Sequence, residues 1–373
     1  MKKTLILTAA LLAAATSLTA QNYVVNATVE GSTYVGQQAK LYDLSSRTTL
    51  DSAIVGKKGD FKFQGTVGRP TLAYISVSGK DRSSSSLNII LEPGDKKAST
   101  ITADVTNDIV KGTPLNNQLN DYYAAVRKRS FQKELDKYYT QYTEAKDDAA
   151  RNRAEQLYDS VDNLDRQMLK EESLRAYSDN KDNVIGAYAM QVIASSEGIT
   201  LKEVNELLVG AGEAVTSYKP LLTIIDRLKR LEATAVGKHY TDFECIDFET
   251  DQPIHLGEKI EGRLTLVDFW ASWCRPCRHE IATNLIRIYE QYQPMGLEVL
   301  GVDVWDKPDK HREAVEQMGI KYPQIIDPTP NATDLYGIEG IPHIMLIAPD
   351  GTILARDLRG DQIELAVRKA LGL

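Results

Sequence analysis

Cysteine is rare in this sequence of 373 residues, which contains only three: Cys245, Cys274 and Cys277. A fold held together by several disulfides would need more of them, so that class of protein is excluded. Positively charged residues are fewer than negatively charged ones. The sequence has 44 lysines and arginines and 52 aspartates and glutamates, which gives a net charge of −8. This balance argues against nucleic acids and anionic membrane surfaces as electrostatic partners.

Long apolar runs are absent except for one near the N-terminus, Leu5 to Ala15, which is shorter than the roughly 20 residues that cross a bilayer. The run follows Lys2 and Lys3 and precedes Thr19-Ala20, as in a secretory signal peptide. We therefore predict that residues 1–20 are a cleaved signal peptide and that the protein is exported, to the periplasm of a Gram-negative envelope. An uncleaved N-terminal anchor is the alternative.

The length of the chain predicts two or three domains. The pattern of residues 21–112 predicts an all-β domain. Short runs of alternating apolar and polar residues are separated by turn-forming residues such as Lys58-Gly59-Asp60 and Gly68-Arg69-Pro70. Six or seven strands at this spacing are typical of a small sandwich or barrel. The predicted strands cover residues 23–29, 38–42, 49–55, 61–67, 71–77, 87–91 and 100–105.

Residues 113–235 predict an α-helical region, because apolar residues recur at helical spacing with charges between them. The two clearest stripes are Phe131, Leu135, Tyr138 and Tyr142, and Leu157, Val161, Leu164 and Met168. Thr200 and Glu203 have the spacing of a capping box, and Pro220 suits the first turn of a last helix. The region either packs only on itself, or uses its tyrosines (Tyr122, Tyr123, Tyr138, Tyr139 and Tyr142) as a partner surface, or forms a coiled-coil homodimer.

Residues 236–373 predict an α/β domain. Strands at 264–269, 297–304 and 324–326 are connected by helices, which implies parallel pairing. The turn Pro349-Asp350-Gly351 between the last two strands implies an antiparallel end. The predicted fold class is therefore multidomain: a small all-β sandwich or barrel, a helical region and a C-terminal α/β domain.

Two cysteines open the first helix of this α/β domain. Cys274 stands at the helix start, where the helix dipole and free backbone N–H groups favour the reactive thiolate, and Arg275 adds a positive charge. Cys277 lies one turn further, close enough to form a disulfide with Cys274. Pro276 fits the first turn, where its missing N–H costs no helical bond. We predict that Cys274 is an exposed nucleophile and Cys277 the resolving thiol of a two-electron exchange with other disulfides.

The segment Val267-Asp268-Phe269-Trp270-Ala271, followed by Trp273-Cys274-Arg275-Pro276-Cys277, resembles the active-site sequence of the thioredoxin family. Gly340-Ile341-Pro342-His343 resembles the loop in which that family has a cis-proline facing the disulfide. The resemblance covers roughly residues 240–373 and is closest to the TlpA-like branch, secreted thiol–disulfide oxidoreductases of bacteria. It implies a thioredoxin fold, a cis peptide before Pro342, and substrate binding by Trp273, Arg275, Pro276 and the backbone of Ile341.

The β region also resembles a known domain. Gly59-Asp60-Phe61-Lys62-Phe63 and the segment that begins at Gly112-Thr113-Pro114 are similar to a domain of unknown function that often precedes TlpA-like modules in secreted bacterial proteins. This resemblance implies no activity for residues 21–112.

Asp268 lies between apolar neighbours on the strand that leads to the cysteines. Poor solvation raises the pKa of a carboxyl group, so Asp268 is suited to take and return the proton of Cys277. Thioredoxins have a lysine on the next strand near this acid, whereas residues 297–304 contain none. The alternative is an aspartate that only accepts hydrogen bonds from backbone N–H groups.

Other uses of the cysteines fit the spacing less well. Haem attachment needs Cys-x-x-Cys-His, and Arg278 intervenes before His279. A zinc site needs four ligands, and Cys274, Cys277 and His279 supply three, so we predict no metal. Peroxidases of the related thiol-specific antioxidant type rely on Thr-x-x-Cys, and the residue three before Cys274 is Ala271. Cys245 alternates with apolar residues and is predicted to be buried and inert.

Together these patterns predict an exported reductase of protein disulfides that uses no cofactor beyond the Cys274–Cys277 disulfide. Its expected partners are disulfide-containing envelope proteins and a membrane-linked thiol electron donor. The alternatives are a disulfide isomerase, oxidase or thiol peroxidase of the same fold, and a non-enzymatic envelope binding protein with a structural disulfide.

Overall fold

The computed structural model of the protein describes residues 21–94, 97–329 and 331–373, so the predicted signal peptide, residues 1–20, lies outside the described residues. The chain divides into two compact units, one that ends at Ile224 and one from Ile225 to Leu373. Every helix within the described ranges is too short or too polar to span a bilayer.

The first unit begins with two four-stranded β-sheets, which agrees with the all-β domain predicted for this region. The strands are β1 (Gln21–Thr28), β2 (Gln38–Asp43), β3 (Thr49–Ile54), β4 (Asp60–Val67), β5 (Thr71–Ser78), β6 (Ser84–Leu91), β7 (Ser99–Asp104) and β8 (Ile109–Lys111). Their orders are β4-β1-β7-β8 and β3-β2-β5-β6. Phe61 and Phe63 are buried while Lys62 between them is exposed, as period-two alternation requires. Strand β8 was not predicted, because three residues are too few to show alternation.

Seven helices follow among the described residues. They are α1 (Pro114–Arg129), α2 (Gln132–Glu144), α3 (Asp148–Asp179), α4 (Val184–Ala194), α5 (Leu201–Leu207), α6 (Glu213–Thr216) and α7 (Lys219–Ala233). The predicted capping box at the start of α5 is confirmed, since Thr200 and Glu203 bond each other's backbone N–H groups.

The five tyrosines of this region do not form a single surface. Tyr122 is buried and its hydroxyl lies 2.9 Å from that of Ser173, whereas Tyr139 and Tyr142 on α2 are exposed. The apolar stripe predicted for α2 is likewise divided, because Leu135 is buried and Tyr142 is exposed.

The second unit contains a seven-stranded sheet of order β10-β9-β13-β12-β11-β14-β15. Its elements are β9 (Glu244–Asp247), β10 (Pro253–His255), α8 (Leu256–Ile260), β11 (Leu264–Trp270), α9 (Arg275–Glu280), α10 (Ile286–Tyr292), β12 (Leu297–Asp303), α11 (Pro308–Met318), β13 (Gln324–Ile326), α12 (Asn331–Leu335), β14 (His343–Ile347), β15 (Ile353–Ala355) and α13 (Asp361–Leu371). The predicted parallel pairing of β11, β12 and β13 and the antiparallel pairing of β14 and β15 are both confirmed. A π-helical turn, Ile281–Leu285, joins α9 to α10 in one continuous helix.

The second unit starts earlier than residue 236, the boundary predicted from the sequence. Arg227 donates a hydrogen bond to the carbonyl oxygen of Gly337 at 3.3 Å, and Arg356 donates one to the carbonyl oxygen of Thr234 at 2.8 Å. The end of α7 is therefore held by the α/β unit, which a helical periodicity cannot reveal.

Candidate active site

The strand β11 carries the acid of the site and leads directly into the cysteines. All seven of its residues are buried, since the sheet is covered on both faces. Leu266 and Trp270 pack in the same cluster as Cys274 and Cys277. Successive side chains of a strand point to opposite faces, so Asp268, between Leu266 and Trp270, faces the layer that contains the two cysteines.

Cys274 and Cys277 form a disulfide at the start of α9, with their Cα atoms 5.3 Å apart. Cys274 is the residue before the helix, and its Sγ accepts a hydrogen bond from the backbone N–H of Cys277 at 3.2 Å. This bond to a helix N-terminal N–H group would also stabilise a thiolate at Cys274.

The prediction that Cys274 is exposed is wrong. Cys274 is 4% exposed and Cys277 is fully buried. Cys274 is covered because its sulfur forms the disulfide and lies 3.7 Å from the carbonyl oxygen of Ile341, which comes from a loop 67 residues away in sequence. A substrate must therefore approach Cys274 closely through a small opening.

The loop that covers Cys274 contains the Ile341–Pro342 peptide, which is cis as expected. The backbone N–H of Ile341 has no hydrogen-bond partner among the described residues, so it is free to pair with an added strand. The guanidinium group of Arg359 donates a hydrogen bond to the carbonyl oxygen of Pro342. His343 is buried, and this burial, with Arg356 nearby, lowers its pKa to about 4, so the ring is neutral at pH 7.

Asp268 is 1% exposed, and neither of its carboxylate oxygens has a hydrogen-bond partner in the described part of the chain. The alternative that it is satisfied by backbone N–H groups is therefore wrong. The pKa of Asp268 is raised to about 8. Burial is the main cause, and the negative charge of Glu280 adds to it. At neutral pH Asp268 holds a proton that it can exchange near pH 8.

Two residues that the sequence analysis did not assign to the site act on this acid. Glu280 lies one helical turn after Cys277, and its carboxylate accepts a hydrogen bond from the Gly360 N–H at 3.1 Å. The charge of Arg359 lowers the pKa of Asp268, against the larger raising effects of burial and Glu280. The three-residue spacing from Cys277 could have indicated Glu280. No local signal indicates Arg359.

The predicted substrate-binding residues beside Cys274 lie at the surface. Trp273 is 61% exposed, and Arg275 and Pro276 are exposed in the first turn of α9. The indole N–H of Trp273 donates a hydrogen bond to the carbonyl oxygen of Trp305 at 3.0 Å. The site therefore has an aromatic and cationic rim around two buried sulfur atoms.

Asp303, Asp306 and His311 have side chains of the metal-binding type, and one ligand atom from each lies within 4.8 Å of the others. The three side chains are close to one another and to the loop before Cys274, although the facing atoms Asp303 Oδ1 and His311 Nδ1 make no hydrogen bond with described residues. His311 lies 3.2 Å from Asp303 and 3.2 Å from the side-chain oxygen of Gln324, and Asp306 accepts hydrogen bonds from the backbone N–H groups of Ser272 and Lys307. We therefore interpret the cluster as support for the loop that precedes Cys274.

Cys245, the third cysteine, is free and fully buried on β9, as predicted. Burial raises the pKa of its thiol to about 12, so the reactive thiolate is not formed near pH 7.

Two parts of the chain match known families. Residues 236–356 match the AhpC/TSA family, and residues 23–119 match a domain of unknown function (DUF4369). The thiol-disulfide oxidoreductase ResA of Geobacillus thermodenitrificans is 30% identical over 155 residues, which are 42% of this chain and 84% of ResA. The chain belongs to the thiol-disulfide oxidoreductases.

Other thiol-disulfide oxidoreductases show the same similarity. The thiol:disulfide interchange protein HelX of Rhodobacter capsulatus is 36% identical over 107 residues, which are 28% of this chain and 58% of HelX. A crystal structure is known of the thioredoxin domain of a thiol-disulfide oxidoreductase from Bacteroides vulgatus. Its sequence is 28% identical to this chain, the alignment covers 37% of this chain and 98% of that domain's chain, and the TM-score is 0.34. The AhpC/TSA match and the similarity to ResA show a thiol-disulfide oxidoreductase with a thioredoxin fold in its C-terminal unit.

Proposed function

We propose that the protein is an exported reductase of protein disulfides, with Cys274 as nucleophile and Cys277 as resolving thiol. In the reduced enzyme, the Cys274 thiolate attacks a substrate disulfide, forms a mixed disulfide and releases one substrate thiolate. Cys277 then gives its proton to the carboxylate form of Asp268, and the resulting Cys277 thiolate attacks the sulfur of Cys274. The second substrate sulfur leaves as a thiolate that takes the proton back from Asp268, the substrate has gained two electrons, and the enzyme holds the Cys274–Cys277 disulfide.

The observation that carries this proposal is the unpartnered carboxyl group of Asp268 on the cysteine-facing side of β11. A buried acid without hydrogen-bond partners is costly, and such groups persist where their proton is used. Its pKa of about 8 is close to that of a thiol, so proton transfer between Asp268 and Cys277 is nearly balanced in either direction.

The Asp268→Asn variant tests this role, because it keeps the shape of the side chain and removes the proton acceptor. We expect the resolution step to slow by about tenfold or more. The wild-type rate should rise as the pH passes through about 8, and the variant should lose this dependence. An unchanged pH–rate profile in a folded Asp268→Asn variant would contradict the assignment.

The direction of electron flow is proposed from the charges around Cys274. A strong oxidant needs a heavily stabilised thiolate. Here one arginine, Arg275, is adjacent and exposed to solvent, and the carboxylate of Glu280 lies further along the same helix. We therefore propose a reducing couple with a potential below about −200 mV. Equilibration against a glutathione buffer measures it, and a value near −120 mV, typical of strong oxidants, would make the enzyme an oxidase.

The proposed partners are disulfide-containing envelope proteins and a membrane-linked thiol donor, with no cofactor beyond the active-site disulfide. A homodimer through the helical region is a further part of this proposal, since α2 leaves Tyr139 and Tyr142 exposed. The Cys277→Ser variant tests the partners, because it should stall as a mixed disulfide that mass spectrometry can identify. Cell fractionation with and without residues 1–20 tests export.

A further inference from the structure

Trp305, which comes two residues after β12 ends, has an unusual backbone conformation. Its φ angle is +57°, in the left-handed region. A side chain with a Cβ atom clashes there with its own backbone, so bulky residues are rare at such positions and glycine or asparagine fits them at lower cost. A tryptophan at this position is therefore not explained by the turn itself.

Residues 304–306 are hydrogen-bonded at three points to residues 270–273, the end of β11 and the loop before Cys274. Val304 donates its N–H to the carbonyl oxygen of Trp270 at 3.1 Å. The carboxylate of Asp306 accepts the N–H of Ser272 at 2.5 Å. Between them, the carbonyl oxygen of Trp305 accepts the indole N–H of Trp273 at 3.0 Å. These three bonds hold the left-handed turn in place and keep the backbone of Trp305 against the indole N–H of Trp273.

Both indoles remain in contact with solvent. Trp305 is 40% exposed and Trp273 is 61% exposed, while Cys274, the next residue, is almost completely buried. Large aromatic side chains supply much of the contact energy where proteins bind one another. Trp273 adjoins the reactive cysteine and the backbone of Trp305 is fixed to its indole, so exposed aromatic surface lies at the edge of the site where a disulfide must arrive.

We propose that Trp305 and Trp273 form an apolar subsite that holds an aromatic or aliphatic side chain next to the reacting cysteine of a polypeptide substrate. The proposal rests on the proposed function, since it requires that the substrate disulfide belongs to a polypeptide. It makes Trp305 a specificity-determining residue, whereas the sulfur chemistry stays with the cysteines and Asp268.

Leu354 on β15 provides a matched control. Its side chain is 40% exposed, like that of Trp305, in the same unit. Unlike Trp305, it has no hydrogen bond to the loop before Cys274 among the described residues, and its φ angle is not positive. A general effect of removing exposed apolar surface would therefore appear equally at Leu354.

The test compares three disulfide substrates with the full-length enzyme: a peptide with phenylalanine beside its cysteine, the same peptide with serine there, and glutathione disulfide. For Trp305→Asn we expect kcat/KM to fall about tenfold for the phenylalanine peptide, mainly through KM, and to change less than twofold for the other two. Trp305→Phe should restore most of the loss, and Leu354→Asn should leave all three rates unchanged.

Asparagine tolerates positive φ, so Trp305→Asn is expected to fold, and Trp305→Gly is the second variant if it does not. An equal loss for all three substrates would overturn the proposal in favour of a positioning role for Trp305, and no loss for the phenylalanine peptide would overturn it outright. If the Cys274–Cys277 redox couple proves to be oxidising, the same peptides can be offered as thiols to the oxidised enzyme. Their rates then report the same preference for phenylalanine over serine. The failure of the subsite and the failure of the reductase assignment are therefore distinguishable.

Discussion

Both units bury carboxyl groups, and two of them, Glu92 in the first unit and Asp268 in the second, have opposite environments. In the first unit, Glu92 accepts hydrogen bonds from the Thr113 hydroxyl and from the backbone N–H groups of Leu115 and Asn116 at 3.0 and 3.2 Å. It thereby caps the start of α1, whose first N–H groups have no partner within the helix. In the second unit, Asp268 accepts no hydrogen bond from the described residues. The first acid stabilises the fold, and the second is left available for proton transfer.

The comparison teaches that burial alone does not identify a functional acid. Glu172 in the first unit is also buried, and it pairs with Arg129 at 2.5 Å and with Arg175 at 3.1 Å. A buried carboxyl group that is satisfied lowers the free energy of the folded state relative to an unsatisfied one. The missing partners of Asp268, more than its depth, distinguish it from Glu92 and Glu172.

The largest expected effect concerns the cysteines of the second unit. Cys274→Ser should reduce disulfide reduction to the uncatalysed background, because serine is not a nucleophile toward disulfides at neutral pH. Cys277→Ser should still attack and then accumulate mixed disulfides. Both are measured with a protein disulfide substrate and by non-reducing electrophoresis. Accumulation in Cys274→Ser and none in Cys277→Ser would reverse the two roles.

The next effect is the pH dependence of stability that Asp268 creates. Its pKa is about 8 in the folded state and 3.8 when unperturbed, so the folded protein binds the proton more tightly. The stability that protonation of Asp268 contributes is therefore fully present below pH 3.8 and is lost as the pH rises toward 8. The upper limit of this loss in the free energy of unfolding is roughly 6 kcal/mol. Asp268→Asn should remove this slope in denaturant titrations of the oxidised protein.

The control for this experiment is Glu280→Gln, which keeps Asp268 but removes the charge that raises its pKa. In that variant the loss of stability should end at a lower pH than in the wild type. The same slope in Asp268→Asn as in the wild type would mean that another group titrates.

Glu92→Ala should have a smaller effect, and only on stability. It leaves the Thr113 hydroxyl and two helix N–H groups without their acceptor, which costs about 1–3 kcal/mol of the free energy of unfolding. The rate of disulfide reduction should not change, because Glu92 has no part in the chemistry proposed for the second unit. Denaturant unfolding and a disulfide assay on the same sample check both statements. A changed rate in a folded variant would end the contrast between the two acids.

The smallest expected effect is that of Cys245→Ala. The thiol is buried and unreactive, so the substitution should leave the rate of disulfide exchange unchanged within twofold and cost about 1 kcal/mol of stability through the lost packing. Thiol labelling of the folded oxidised protein should modify no cysteine. Rapid labelling of Cys245, or a lost rate in Cys245→Ala, would make it a third redox thiol.

Local patterns in the sequence were sufficient for the elements and for the identity of the reactive residues. Period-two runs, helix spacing and turn residues depend on neighbours within a few positions, so the start of α9 and the strands long enough to show alternation could be predicted, whereas β8 could not. Cys274 and Cys277 lie one turn apart on one helix, and Asp268 is on the strand that precedes them. These residues are close in space because they are close in sequence.

Only the tertiary structure decided the environment of those residues. Cys274 is buried because Ile341 lies against its sulfur, and the pKa of Asp268 is set by burial together with Glu280 and Arg359. Trp305 reaches the site because parallel pairing aligns the C-terminal end of β12 with that of β11. Such contacts join segments that are tens of residues apart, and sheet pairing and packing determine them, whereas local periodicity carries no information about distance between separate elements.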